Sequence, residues 1–407
     1  MSAIPRVRAL TATAALVLLA ALLGVGPTAA GAAARQTPVE PASLPGEMVR
    51  VLAGARLSDA DLATTRAQTQ EAHQAERAAR SATTPSPGGP STQSLGLSST
   101  IQVTYSGFTP AAQAAFQRAV DAWAATVSSS VPITVAASFV DFGSPMILGG
   151  AGPSSLYTVS GAGCTTPPYP TAYYPVALRN ALCGTDVDPA RPDIVANFSS
   201  TANWYYGTDG VVPSGAYDFT TVVLHELGHG LGFLGSSWVD STQGGFGLSA
   251  ATAGSLRMPF DYLTESGAGT ALTSMTSPSA ALKTQFTSQD LWVDGNAIRA
   301  ARGGNRVKLY APDPYIPGSS FSHLDEATYG PTDPDALMTP VLNSGEVHTN
   351  PGPVAAAVLR DTGWPLSPGI SGTVSQVGGS PAPGVTVAAY AVGAAAPAAT
   401  AVTSSNG

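Results

Sequence analysis

The chain has 407 residues, a formal net charge of −8 and only 11% charged residues, against roughly 25% in an average soluble protein. Ala, Gly, Pro, Ser and Thr make up the difference, so long loops are expected rather than helices laced with salt bridges. The acidic balance argues against a nucleic-acid partner, which would require a basic face.

In chain order, the first segment reads as a secretory signal over residues 1–34. Arg6 and Arg8 give a positive start, residues 10–25 are apolar, and Ala-x-Ala options end near Ala30 to Ala34. The apolar stretch is short for a membrane span. The mature protein is therefore expected to be secreted, with no membrane span. Residues 35–100 read as a propeptide or linker. Their middle, 58–80, is a polar helix pattern without a strong apolar stripe, and 83–99 is rich in Ser, Thr, Pro and Gly. A propeptide and a disordered spacer both fit this composition.

The folded part is expected to open at Ile101. Residues 101–105 alternate as a strand does. Thr109 is a suitable N-cap with Pro110 at the first helical position, and Phe116, Val120 and Trp123 share one stripe of the helix that follows. Residues 133–140 predict the next strand, then a loop-rich stretch, then a strand over 193–198. Both cysteines of the chain, Cys164 and Cys183, lie in the loop-rich stretch. In an exported protein they read as one disulfide. Neither has a C-x-x-C partner, which argues against a zinc role.

A helix is predicted from about Asp218, with Asp218 or Thr220 as its cap and Gly232 as a left-handed stop. Leu224, Leu227 and Leu231 give it an apolar face. Gly228 and Gly230 inside it each cost about 1 kcal/mol relative to Ala, which suggests close packing or function. Further on, Ser277 and Pro278 could open a short helix to about Phe286, 307–310 could be a strand, and 353–361 reads as a helix stopped by Gly363. After Pro365 the composition shifts. Residues 370–374 and 385–389 read as two strands of a new β domain over 367–407. Two strands make no stable sandwich, so the sequence is expected to be cut inside that domain.

The central helix carries His225-Glu226-Leu227-Gly228-His229. Two imidazoles four residues apart share a helical face and can hold one metal ion, with the glutamate placed to act on water. A catalytic zinc requires three protein ligands and an open position. The chain has five histidines: His73 lies in the propeptide segment, leaving His323 and His348, with a downstream carboxylate such as Asp240 or Glu265 as the rival third ligand.

The segment His225-Glu-Leu-Gly-His229-Gly-Leu-Gly232 resembles the start of the metzincin zinc helix, H-E-x-x-H-x-x-G-x-x-H/D. It departs at the last position, which is Gly235. One metzincin family inserts a long segment after the first glycine and supplies the third histidine later, and the chain is similar to that family, the leishmanolysins. Gly318-Ser-Ser-Phe-Ser-His323-Leu-Asp carries a histidine in a Ser/Gly-rich turn, Asp335-Ala-Leu-Met338-Thr-Pro340 resembles the Met-turn, and residues 354–364 resemble the helix that ends the catalytic domain. The family's dense disulfide pattern is absent, and the propeptide has no cysteine with which to block a metal.

The resemblance implies an α+β zinc metalloendopeptidase over residues 101–366, with two subdomains flanking a cleft. It implies Zn²⁺ on His225, His229 and His323, Glu226 as general base, Met338 as hydrophobic support beneath the metal, and a polypeptide substrate cleaved by a monomer. It also implies an edge strand at 193–198 that pairs with extended substrate. His348 reads as a surface histidine in a polar loop, with a hydrogen-bond role at the cleft rim as the functional option. Asp325 and Glu326 could orient a ligand or be solvated. The Asp-rich loop 332–335 is a possible Ca²⁺ site without an EF-hand pattern. Two other readings stand beside this one: a gluzincin-type protease with a carboxylate ligand, and a secreted binding protein on an inactive protease fold.

Overall fold

The computed structural model describes residues 47–50, 99–161, 163–247, 256–367, 385–389 and 399–402. In chain order these hold β1 (Glu47–Arg50), β2 (Ile101–Ser106), α1 (Pro110–Thr126), β3 (Ile133–Val140), β4 (Ile147–Pro153), β5 (Leu156–Thr158), β6 (Tyr173–Pro175), α2 (Val176–Cys183), β7 (Ile194–Ser199), β8 (Trp204–Tyr205), β9 (Tyr217–Asp218) and α3 (Phe219–Leu231). There follow β10 (Ser237–Val239), β11 (Gly244–Phe246), β12 (Thr264–Ser266), α4 (Ala280–Phe286), β13 (Leu291–Val293), α5 (Asn296–Ala301), β14 (Val307–Leu309), α6 (Gly352–Thr362), β15 (Thr386–Ala389) and β16 (Ala399–Val402). The fold class is α+β, as expected. The signal segment, the polar helix pattern at 58–80, His73 and the strand pattern at 370–374 lie outside the described residues.

The main sheet has five strands in the order β1-β4-β7-β3-β2. β2, β3 and β7 run parallel, and β4 joins β7 antiparallel. Helix α1 makes the crossover between β2 and β3. Thr109 caps it by accepting a hydrogen bond from Ala112 N at 3.2 Å, and Phe116, Val120 and Trp123 are buried beneath it. Helix α3 packs against both α1 and β4. A continuous apolar core extends from Ile101 through the residues of α3 to Trp364.

The stretch after β3 is loop-rich, as expected, but it holds β4, the β5–β6 pair and α2. β4 escapes a propensity reading because Gly149, Gly150 and Gly152 sit inside it, and glycine is depleted from strands. One expectation is corrected: the strand at 193–198 is not an edge, since β7 is paired on both sides, with β3 and with β4. The cysteines behave as expected, with Cys164 and Cys183 joined in a disulfide.

After α3 the chain builds a small antiparallel sheet, β12-β13-β14. Helix α4 starts later than predicted: Ser279, not Ser277, caps it by accepting from Leu282 N. Ser277 instead accepts from Phe246 N. Helix α6 ends at Gly363 with φ +118°, the left-handed stop its sequence predicts. β15 pairs antiparallel with β16, a second strand that the sequence pattern did not reveal. Among the described residues no helix is long and apolar enough to cross a membrane.

Candidate metal centre

Helix α3 positions the first two histidines. Asp218 caps it, accepting from Thr221 N and Oγ1, each at 2.8 Å. Gly232 closes it at φ +116°. Two indole N–H groups bond to its backbone carbonyls: Trp123 to Leu224 O at 2.8 Å and Trp364 to Leu231 O at 2.7 Å. All of its residues are buried rather than one face alone. Its internal glycines follow from that crowding. A Cβ on Gly228 would lie 2.9 Å from Met338 Sδ, and one on Gly230 would lie 2.4 Å from Ile194 Cγ2.

The third histidine arrives from the segment after β14. Leu324 forms a bridge with Leu309, and Leu324 N donates to Met338 O at 2.8 Å. This ties the His323 turn to the Met338 turn. Phe321, just before it, adopts φ +78°, a conformation bulky residues seldom use. Packing holds it there: its ring is buried against Phe246, Phe260 and Phe286. That ring also explains the departure from the usual ligand position, because a Cβ on Gly235 would lie 2.2 Å from Phe321 Cε1. The space beside Gly235 belongs to the segment that delivers His323.

The three rings converge. His225, His229 and His323 are buried, with Nε2 atoms 2.9 Å (His225–His229), 3.1 Å (His225–His323) and 3.2 Å (His229–His323) apart. Each Nδ1 lies against a backbone carbonyl: Leu337 O at 2.7 Å, Phe233 O at 2.7 Å and Ser319 O at 2.8 Å. A carbonyl only accepts, so each Nδ1 carries the proton and donates. The neutral rings then present their Nε2 atoms to one another as acceptors, an arrangement that a shared cation satisfies. Burial reinforces neutrality. It pushes His225 down to about 4, and it places His229 well below the usual histidine range, with the neighbouring His225 adding to the effect. This trio is a group that could hold a metal ion, and it is the only such cluster of His, Cys, Asp or Glu among the described residues.

Glu226 is fully buried on the same helix, with Oε1 3.1 Å from where a Cβ on Gly149 of β4 would be. Met338 is fully buried against Gly228, which lies between His225 and His229 on α3. The rival ligands are engaged elsewhere. Asp240 accepts from Thr242 N and Gln243 N in its own exposed turn, and Glu265 pairs with Arg306 at 2.9 Å.

Other candidates change roles. His348 is buried, not a surface residue: its Nε2 lies 3.0 Å from Glu346 Oε1, and its N–H donates to Thr221 Oγ1 at 2.8 Å. Its loop thus clamps the N-terminus of α3. Asp325 bonds to Lys308 and Thr328, while Glu326 meets Thr339 and the Val341 backbone, and burial pushes its carboxyl up to about 7. Orientation of the histidines falls instead to the carbonyls of Phe233, Ser319 and Leu337, which carry no side-chain signature. In the loop 332–335, Asp335 pairs with Arg302 at 2.6 Å and accepts from Val354 N, a structural duty with no metal cluster around it among the described residues.

A family model described as SPBPB7E8-like matches residues 91–247, less than half of the 407-residue chain. The match covers the main sheet from β2 onward and the whole of α3, but stops before His323. No curated protein and no solved structure matches.

Proposed function

We propose that the protein is a secreted zinc metalloendopeptidase of the leishmanolysin-like metzincin type. One observation carries the reading: three buried imidazoles, each with Nδ1 on a backbone carbonyl, bring their Nε2 atoms within 3.2 Å of one another beside Glu226. Zinc bound at about 2.0–2.1 Å from three tetrahedral ligands would space those ligands about 3.3 Å apart, close to the observed triangle. An all-imidazole donor set suits zinc better than calcium or magnesium, which prefer oxygen. The disulfide is compatible with an extracellular location.

Bound there, zinc would make a water nucleophilic near neutral pH and polarise a carbonyl. The chain's own groups do the rest. His225, His229 and His323 hold the ion as neutral ligands. Glu226 takes the proton from the attacking water and returns it to the leaving amine. Met338 and Gly228 form the apolar floor on which the ligand-bearing turns rest. Residues 101–232 and the segment after them form the two walls of the cleft, and an extended polypeptide lies along β4, the strand in contact with Glu226.

Casein hydrolysis by zinc-loaded protein tests this. Glu226→Ala should retain about one zinc per chain and lose at least about a hundredfold in turnover. Turnover unchanged by that substitution, or absent from zinc-loaded wild type freed of the segment before residue 99, would sink the proposal.

A further inference from the structure

The outer edge of β4 is already occupied. β1 (Glu47–Arg50) pairs antiparallel along it, with Glu47 opposite Ala151, Met48 opposite Gly150 and Val49 opposite Gly149. β1 also lies against α3. Gly149 is the residue whose Cα–H side abuts the Glu226 carboxylate. The backbone at Val49 is therefore one strand spacing, about 4.8 Å, from the strand position that touches Glu226. Removing β1 would leave β4 with a row of unpaired N–H and C=O groups, the kind of edge that takes up an extended peptide.

We propose that residues 47–50 are an intrachain strap that fills this edge and keeps extended peptides out of the cleft. The proposal rests on the protease reading for its consequence, but the strap itself rests on the strand pairing. Its chemistry is that of backbone alone. What holds the four residues Glu47-Met-Val-Arg50 on the edge is strand pairing, so the strap blocks by filling the edge. The pairing is also built to release. It spans four residues, follows Pro45-Gly46, and its register slips between Val49 and Arg50. Short, irregular strands hold weakly compared with long regular ones.

The test uses the full chain carrying Glu226→Gln, so that peptide is bound and not cut. The probe is a fluorescein-labelled synthetic peptide copying residues 44–53, followed by anisotropy. Met48→Pro and Val49→Pro each remove one backbone N–H. Neighbouring N–H groups in a strand point to opposite sides, so one of the two variants must lose a ladder bond to β4. Val49→Ala keeps the N–H and serves as the side-chain control. The expected result is peptide binding at least about tenfold tighter in one proline variant than in the parent, with Val49→Ala close to the parent. Equal binding by the parent and both proline variants, or no binding by any, overturns the strap. Casein turnover is measured separately, with Glu226 restored. A proline variant that binds peptide but cuts no casein would sink the protease reading and leave the strap standing.

Discussion

His323 is the residue on which the site turns. His225 and His229 are placed by one helix and would stay paired without it, but two imidazoles leave a metal with half a shell. His323→Ala should therefore lower zinc affinity by at least about a hundredfold, beyond the 10–100-fold typical of losing a residue that only orients a ligand. A zinc titration by competition with a chromophoric chelator reads this, and affinity equal to wild type would show that another group completes the site. A second buried residue governs pH behaviour. Asp261 accepts from Ser236 N at 2.8 Å, Ser236 Oγ at 2.5 Å and Met258 N at 2.7 Å, fixing the segment that passes Gly235. Burial outweighs these donors and pushes its carboxyl up to about 6 from 3.8. Between about pH 4 and 6 the native state then binds more protons than the unfolded chain, so this group's contribution to stability falls as pH rises through that window, by on the order of 2–3 kcal/mol. Asp261→Asn has no such slope. In urea denaturation the stability of wild type minus that of Asp261→Asn should shrink from pH 4 to pH 6 and level off above 7. A difference that grows over that range would mean that the three donors prevail over burial.

Helix α3 works as an element because glycine lets three structures approach it at once: Met338 at Gly228, β7 at Gly230 and β4 at Glu226 by way of Gly149. Gly230→Ala gains up to about 1 kcal/mol of helix propensity. It also drives a methyl into Ile194, where overpacking costs about 1–3 kcal/mol, and the net should be a loss of stability. Combining it with Ile194→Ala should cost less than the sum of the two single changes, since each relieves the other; thermal melts of the four proteins in the cycle would show strict additivity if the contact is not tight. The same crowding explains what could be read from the sequence. The helix, its Asp218 cap, its Gly232 stop and its two histidines were legible because capping and helical spacing are local. His323, the third member of the cluster, was legible only through the Ser/Gly-rich turn and the Met338 segment downstream. β4 was not, because its glycines answer to α3 rather than to strand propensity. The position of β7 inside the sheet was not, because strand order is decided by partners far away in sequence. His348 looked like a surface loop residue, and it is buried where its backbone meets Thr221 of α3, a partner remote in sequence that no local pattern reveals.

At the scale of the molecule the site joins parts that are remote along the chain. His225 and His229 belong to a helix packed on the main sheet, whereas His323 hangs from β14 of the small sheet, held by Leu309 and by Met338. One core runs beneath both, from β2 to Trp364, so the parts should unfold together. A metal shared by all three histidines binds the assembled state and not the unfolded chain, and so adds RT ln(1 + [L]/Kd) to stability, about 4 kcal/mol at a thousandfold excess over Kd. For a folded region of this size about 1 kcal/mol corresponds to roughly 2–4 °C. Chelation of zinc-loaded protein should therefore lower the melting temperature by on the order of 10 °C in a single transition. The His323→Ala protein should melt at nearly the same temperature with zinc or with chelator. If chelation instead splits the melt into two transitions, the metal would be joining two independently stable halves. If it leaves wild type unmoved, the three imidazoles hold no ion whose binding is coupled to the fold.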